Sequence, residues 1–249
     1  MIRGLCKARD ECHILRDTLD SWARVCDEIH VYDDASTDFT RETCLEHPSV
    51  VEVISSNLLD KDRERAEWRN RQAVLSSALN YGADWICYFD ADEQLAEFDE
   101  ALLEGPEKIV SLMLFDTYIT KEDEHVDKWR YQERRMSAPE FQIMPYFYRT
   151  SLPLEFNQPD QRIMFFPNEE IVLAGKVRHW GKGISVEHFE KKCLYYAQWP
   201  KYAEKWEARR GQAVHTVSDF GNPLVEWEEI LNGNVEPMWT QVECTQLTT

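Results

Sequence analysis

Trp85-Ile86-Cys87-Tyr88-Phe89-Asp90-Ala91-Asp92-Glu93 runs five apolar or aromatic residues into three acids within four positions. An apolar run without polar interruption reads as a buried strand. Carboxylates at the C-terminal end of such a strand stand where open α/β sheets bind ligands. One aspartate can touch the ligand while the other holds a hard cation. Oxygen donors at this density suit Mg²⁺ or Mn²⁺, ions that also hold phosphate oxygens. An acidic strand-to-helix turn on the surface would look the same in isolation, so the rest of the chain has to separate the two.

Upstream, the same rhythm repeats. Ile2 to Lys7 reads as a first strand. Glu11 to Cys26 reads as a helix, with Ile14, Leu15, Thr18, Leu19, Trp22, Val25 and Cys26 at helical spacing. Glu28 to Tyr32 is a second strand ending in Asp33-Asp34, and Ser36 or Thr37 can cap a helix through Cys44. Val50 to Ile54 is a third strand. Asp62 to Tyr81 is a long helix that Gly82 stops. Trp85 to Phe89 is the fourth strand and Ile109 to Phe115 a fifth. Alternation of this kind predicts a mostly parallel, Rossmann-like α/β sheet flanked by helices. Between 116 and 175 the rhythm fades. Pro139, Pro145, Pro153, Pro159 and Pro167 suggest irregular strands and loops, the usual place for a variable substrate side. Helical signals return from Ser185 to Ala213, broken at Pro200, and the tail after Trp227 reads as poorly anchored, with disorder expected at Thr245 to Thr249. The expectation is one domain over 1–249: a ligand-binding half (1–115), an acceptor-side half (116–184), and C-terminal helices and tail (185–249).

Composition excludes some functions. The 249 residues carry 28 basic against 46 acidic side chains, a net charge of −18, which argues against nucleic acid and anionic lipid as partners. An anionic small substrate would need a metal and a few placed cations to offset that field. The seven cysteines are odd in number and form no CxxC, so they read as reduced thiols, and no secretory leader or membrane-spanning run is read. The expectation is a cytoplasmic protein. Nine tryptophans invite the idea of a sugar-lined groove, although core packing accounts for most single rings.

Other residues gather around the strand ends. Asp33 and Asp34 could accept hydrogen bonds from a nucleobase or ribose, while Thr37 and Asp38 read as helix-start residues. Lys7, Arg9 and the arginines of the long helix (Arg63, Arg65, Arg69, Arg71) offer cations to a diphosphate; alternatively some are a solvated face with i,i+4 pairs such as Glu67 with Arg71.

Lys7-x-x-Asp10-Glu11, Asp33-Asp34-x-Ser36-x-Asp38, Arg69-Asn70 and Phe89-Asp90-Ala91-Asp92-Glu93 occur in that order. Together they resemble a family 2-type glycosyltransferase with the GT-A nucleotide-diphospho-sugar fold, of the Asp-x-Asp-Glu subgroup. The resemblance covers 1–115 well and the remainder thinly. It implies a metal-dependent, inverting transfer from a nucleotide-sugar donor, UDP by analogy, to a glycan or other hydroxyl acceptor. It implies that Asp33 or Asp34 contacts the nucleobase and ribose, that Lys7, Arg9 and Arg69 lie by the nucleotide, and that Asp90, with Ala91 beside it, contacts ribose or supports the metal. Asp92 would ligate Mn²⁺ or Mg²⁺. In His179-Trp180-Gly181-Lys182, His179 would complete the metal shell and Lys182 neutralise the leaving diphosphate; a lone histidine can equally be a hydrogen-bonded core residue. For the base that deprotonates the acceptor, Asp160 leads, ahead of Asp116 and Glu155, although the His-Glu pair usual in that region is missing.

Three other readings compete. A haloacid dehalogenase-type phosphatase expects its Asp-x-Asp on the first strand, with Thr or Val two residues past the second Asp; here the motif closes the fourth strand and Gln94 stands there. A nucleotidyltransferase usually opens with a glycine-rich loop, and residues 1–15 hold only Gly4. A sugar-nucleotide-binding module without catalysis keeps the nucleotide half and lacks a competent base.

Overall fold

β1 (Ile2–Ala8) is central to a parallel array because its interior is apolar on both faces: Leu5 and Cys6 are fully buried. After it come α1 (Leu15–Trp22), β2 (Glu28–Asp34), α2 (Thr40–Glu46), β3 (Val50–Ser56), α3 (Arg63–Asn80), β4 (Trp85–Asp90) and β5 (Glu93–Glu97). The computed structural model describes residues 1–157, 162–165 and 171–240. β1 pairs in parallel with both β2 and β4, and β2 with β3. The register sets Lys7 opposite Asp90, Ala8 opposite Asp33 and Asp34 opposite Ser56. The carboxyl ends of β1, β2 and β4 therefore finish in one row. Three longer strands follow, β6 (Ile109–Tyr118), β7 (Met136–Arg149) and β8 (Ile171–Lys182), and the strand order is β3-β2-β1-β4-β7-β6-β8-β5. β7 runs antiparallel to β4.

The chain divides into two compact units. The first comprises Met1–Met113 and Ile143–Val177, the second Leu114–Gln142 and Arg178 onward. In the first, Val74, Leu75 and Ala78 of α3 pack with Leu5, Ile86, Tyr88, Tyr148 and Phe156. Burying each of the larger apolar side chains contributes about 1.5–3 kcal/mol. Trp22 belongs to this unit's core as well. It stacks on Phe89 at 4.7 Å and donates its indole N–H to the Glu93 carbonyl at 2.8 Å. In the second unit, β8 leads to α4 (Val186–Ala197), α5 (Pro200–Glu207), β9 (Val225–Glu226), α6 (Trp227–Leu231) and β10 (Met238–Trp239). Ser185 caps α4 by accepting from the His188 N–H, and Pro200 opens α5, so the proline separates two helices as expected.

Several local expectations need correction. α1 starts at Leu15 rather than Glu11, because Asp10 takes a left-handed φ of 55° and residues 11–14 form a turn. Ser36 and Thr37 do not cap α2. Ser36 Oγ accepts from the Asp10 N–H, and Thr37 donates both its N–H and its hydroxyl to Asp10. β5 was not read at all. Within 116–175, β7 and β8 are long and regular despite Pro139 and Pro145 inside β7. After Trp227 the described residues, 228–240, are anchored, since β10 pairs with β7 and Thr240 bonds the Phe141 carbonyl. The segment 245–249 lies outside the described residues. The six described cysteines are free thiols, and no described helix is long and apolar enough to cross a membrane.

Candidate active site

In the first unit the strand ends carry a buried network of charge. Lys7 Nζ stands 2.9 Å from Asp34 and 2.9 Å from Glu67. Asp34 also accepts from Asn70 Nδ2 at 2.9 Å and Ser56 Oγ at 3.4 Å. Asp33 accepts from the Ser36 N–H at 3.2 Å, and Arg9 sits 3.7 Å from Asp10. Burial works against the Lys7 charge, but Glu67 and Asp34 outweigh it and raise its pKa. Burial likewise works against the Glu67 charge; Lys7, Arg71 and Arg63 overcome it and bring the carboxyl down to about 2. Arg71 lies 3.0 Å from Glu67. The i,i+4 pair read from the sequence therefore exists, but on the inner face of α3 rather than in solvent. Arg69 is the half-exposed member of the group and pairs with Asp60 at 3.1 Å.

The turn after β4 is braced from both sides. Arg71 Nε donates to the Tyr88 hydroxyl at 2.7 Å, and that hydroxyl donates to Asp90 Oδ1 at 2.8 Å. Burial pushes the Tyr88 phenol well above its ordinary pKa, so it stays protonated. The Ala91 carbonyl accepts from Thr18 at 2.8 Å. Glu93 is 1% exposed. It takes both nitrogens of the Arg162 fork, accepts from Tyr146 at 3.0 Å and accepts the Asp90 N–H at 3.2 Å. Arg162 Nη1 reaches within 3.6 Å of Asp90 Oδ2. Asp92 is 8% exposed, between these braced neighbours. Two carboxylates flanking Ala91 form an all-oxygen donor set that fits a hard divalent cation.

The second unit brings Asp116, His179 and Lys182 together. Asp116 Oδ1 meets His179 Nδ1 at 2.6 Å, and Oδ2 meets Lys182 Nζ at 2.6 Å. Burial would raise the Asp116 pKa, but Lys182 and His179 hold it well below the usual carboxylate range. Lys182 also lies 3.0 Å from Asp219, which pairs with Arg209 at 2.6 Å. A carboxylate at Nδ1 orients an imidazole, and in the neutral ring it would leave the lone pair on Nε2. Glycine at 181 makes room for that ring: a Cβ there would stand 2.5 Å from His179 Nε2.

Among the proposed bases, Glu155 is exposed in the first unit and accepts from Asn157 at 3.1 Å. Asp160 lies outside the described residues. Tyr88, Tyr146 and Arg162 were missed by sequence reasoning. Tyr88 looked like one more apolar strand residue, and no local pattern connects Arg162 or Tyr146 to Glu93.

Acids and a lysine aligned at the carboxyl ends of parallel strands stand where open α/β sheets bind their ligands. The sequence pattern of Glycosyl transferase family 2 matches residues 7–166, and the chain belongs to that family, whose architecture is GT-A. Uncharacterized proteins of Mycobacterium bovis and of Mycobacterium tuberculosis are each 32% identical over 120 residues, 45% of this chain and 29% of theirs. The match thus spans under a third of those relatives' length. Among solved structures, glucosyl-3-phosphoglycerate synthase from Mycobacterium tuberculosis, in complex with Mn²⁺, UDP and phosphoglyceric acid, is 20% identical with a TM-score of 0.34, over 46% of this chain and 43% of that one. S. aureus TarS 1–349 in complex with UDP is 12% identical with a TM-score of 0.42, over 80% and 66%.

Proposed function

We propose that the chain is a metal-dependent glycosyltransferase that moves a sugar from a nucleotide diphosphate donor, UDP in the first instance, to a hydroxyl of a glycan acceptor, with inversion. The observation that carries this reading is the alignment of Asp33, Asp34, Lys7 and Asp90 at the ends of adjacent parallel strands in a chain of this family. Residues 1–115 carry the donor and 116–184 the acceptor. Asp33 and Asp34 address the nucleobase and ribose, with Lys7, Arg9 and Arg69 by the nucleotide. Asp92 and Asp90 would hold Mn²⁺ or Mg²⁺. When bound, that ion supplies positive charge to a departing diphosphate. Asp160 leads the candidate bases, followed by Glu155. Asp116 is third, because both its oxygens are engaged and its depressed pKa makes it a weak proton acceptor at neutral pH.

Asp92→Ala tests the reading. The expected result is loss of Mn²⁺-dependent UDP release from UDP-sugars offered with mixed glycan acceptors, with the circular dichroism spectrum unchanged. UDP release by the variant at the wild-type rate in excess EDTA would remove the metal site. Mn²⁺-dependent UDP binding by the wild type, with no release from any donor and acceptor pair, would leave a binding module instead.

A further inference from the structure

We infer that Tyr88 is a positioning residue for Asp90, the terminal link of a buried ladder of alternating charge that begins at Asp34. The inference rests on the reading of Asp90 as a metal-holding carboxylate. The ladder lies wholly in the first unit. From Asp34 it passes to Lys7 at 2.9 Å, Glu67 at 2.9 Å, Arg71 at 3.0 Å, the Tyr88 hydroxyl at 2.7 Å and Asp90 Oδ1 at 2.8 Å. Glu67, Arg71 and Tyr88 are buried and the Lys7 side chain is only 9% exposed, so none of these links is exchanged with solvent at low cost.

The direction of the last bond follows from its neighbours. A phenol has one proton to give. Arg71 can only donate, so the Tyr88 oxygen accepts from it and the hydroxyl proton is directed to Asp90. A hydroxyl donating to a carboxylate makes one of the stronger hydrogen bonds available to a neutral side chain. The ring itself has little freedom. Phe156 packs edge-on at 5.3 Å, and the guanidinium groups of Arg71 and Arg162 lie 5.6 Å and 5.8 Å from the ring centroid. Asp90 is thus held at Oδ1 by a rigid donor. A strand position buried among Leu5, Ile86 and Tyr148 needs only an apolar ring. A phenol there carries a desolvation cost that phenylalanine avoids, and its return is a fixed carboxylate. The ladder also joins the acid at the end of β2 to the acid at the end of β4, the two ends of a bound nucleoside diphosphate in the proposed site.

The experiment is a Mn²⁺ titration, followed by electron paramagnetic resonance with UDP present, on the full chain and on Tyr88→Phe, Asp90→Ala and the double variant. Loss of a group that orients a metal ligand typically weakens metal affinity 10–100-fold. Tyr88→Phe is expected to weaken Mn²⁺ binding about tenfold while leaving UDP affinity in EDTA at the wild-type value. Since Tyr88 acts through Asp90, adding Tyr88→Phe to Asp90→Ala is expected to change Mn²⁺ affinity no further. Wild-type Mn²⁺ affinity in Tyr88→Phe overturns the inference, and so does an equal loss in both backgrounds, which would mark a general effect on the fold. A wild-type chain that binds UDP but no Mn²⁺, or a metal affinity that Asp90→Ala leaves untouched, overturns the underlying reading of Asp90, and the inference falls with it.

Discussion

Glu67→Gln removes one negative charge from among three cations. Glu67 carboxylate oxygens lie 2.9 Å from Lys7, 3.0 Å from Arg71 and 3.4 Å from Arg63, and its side chain is only 8% exposed. The carboxyl sits at about 2 in the fold against an ordinary 4.5. That difference corresponds to about 3 kcal/mol of stability at neutral pH. It agrees with the roughly 3–5 kcal/mol lost when one partner of a buried ion pair is deleted. Because the folded value is depressed, the contribution is complete above about pH 4.5 and is lost as pH falls through about 2. In a chain of this size each kcal/mol moves the melting temperature by about 2–4 °C, so the variant is expected to melt about 6–12 °C below wild type at pH 7. Thermal unfolding followed by tryptophan fluorescence, repeated between pH 7 and pH 2.5, measures this, and the gap between the two proteins is expected to close toward the acid end. A gap under about 2 °C at pH 7, or one of constant size across the series, would refute the assignment of Glu67 as the anion that balances these cations.

Two glycines supply further checks. Gly175 has φ +85°, and a Cβ there would stand 2.1 Å from the Glu97 carbonyl oxygen, so Gly175→Ala is expected to cost about 1–3 kcal/mol and lower the melting temperature by several degrees; an unchanged melting temperature would contradict this. Gly181→Ala would press a methyl group onto His179 Nε2 at 2.5 Å and Cε1 at 2.7 Å, forcing the ring off its bond with Asp116, and imidazole proton resonances that superimpose on wild type would show that the ring had no need to move.

The parallel half of the fold was legible because its strands are apolar runs that end in acids, and its long helix carries its own punctuation. Asp62 caps the start of α3 by accepting from the Arg65 N–H, and Gly82 takes the left-handed φ of 78° that lets the chain leave it. β5 was illegible because Glu-Gln-Leu-Ala-Glu contains no β-branched or aromatic residue and alternates only weakly. In β7 the prolines at 139 and 145 obscured a strand of fourteen residues. The ionic ladder was half legible. Glu67 and Arg71 have the spacing of a pair, but a reader of periodicity assigns charge to the outer face of a helix, and here the charge lies inward because Lys7, Asp34 and Tyr88 are there to meet it. Arg162 stands 69 residues from Glu93, and nothing short of the folded chain brings the two together.

That same arginine settles what the third acid of the Asp90-Ala91-Asp92-Glu93 turn does within the fold. The sequence alone leaves the role of Glu93 open. Its oxygens hold the Arg162 fork, the Tyr146 hydroxyl and the backbone N–H of Asp90, so it closes the turn on itself. Aspartate at 93, one methylene shorter, would draw the carboxylate back from the arginine and the tyrosine. Arg162 is shared between Glu93 and Asp90, so the three carboxylates and one guanidinium of the turn sum to a formal charge of −2. A formal charge of −2 would suit a divalent ion. Three uncompensated carboxylates would bind a bare cation more tightly but leave the complex with surplus negative charge facing a diphosphate. On this reasoning Arg162 lowers the negative charge of the turn while Glu93, holding Arg162, Tyr146 and the Asp90 N–H, stiffens it.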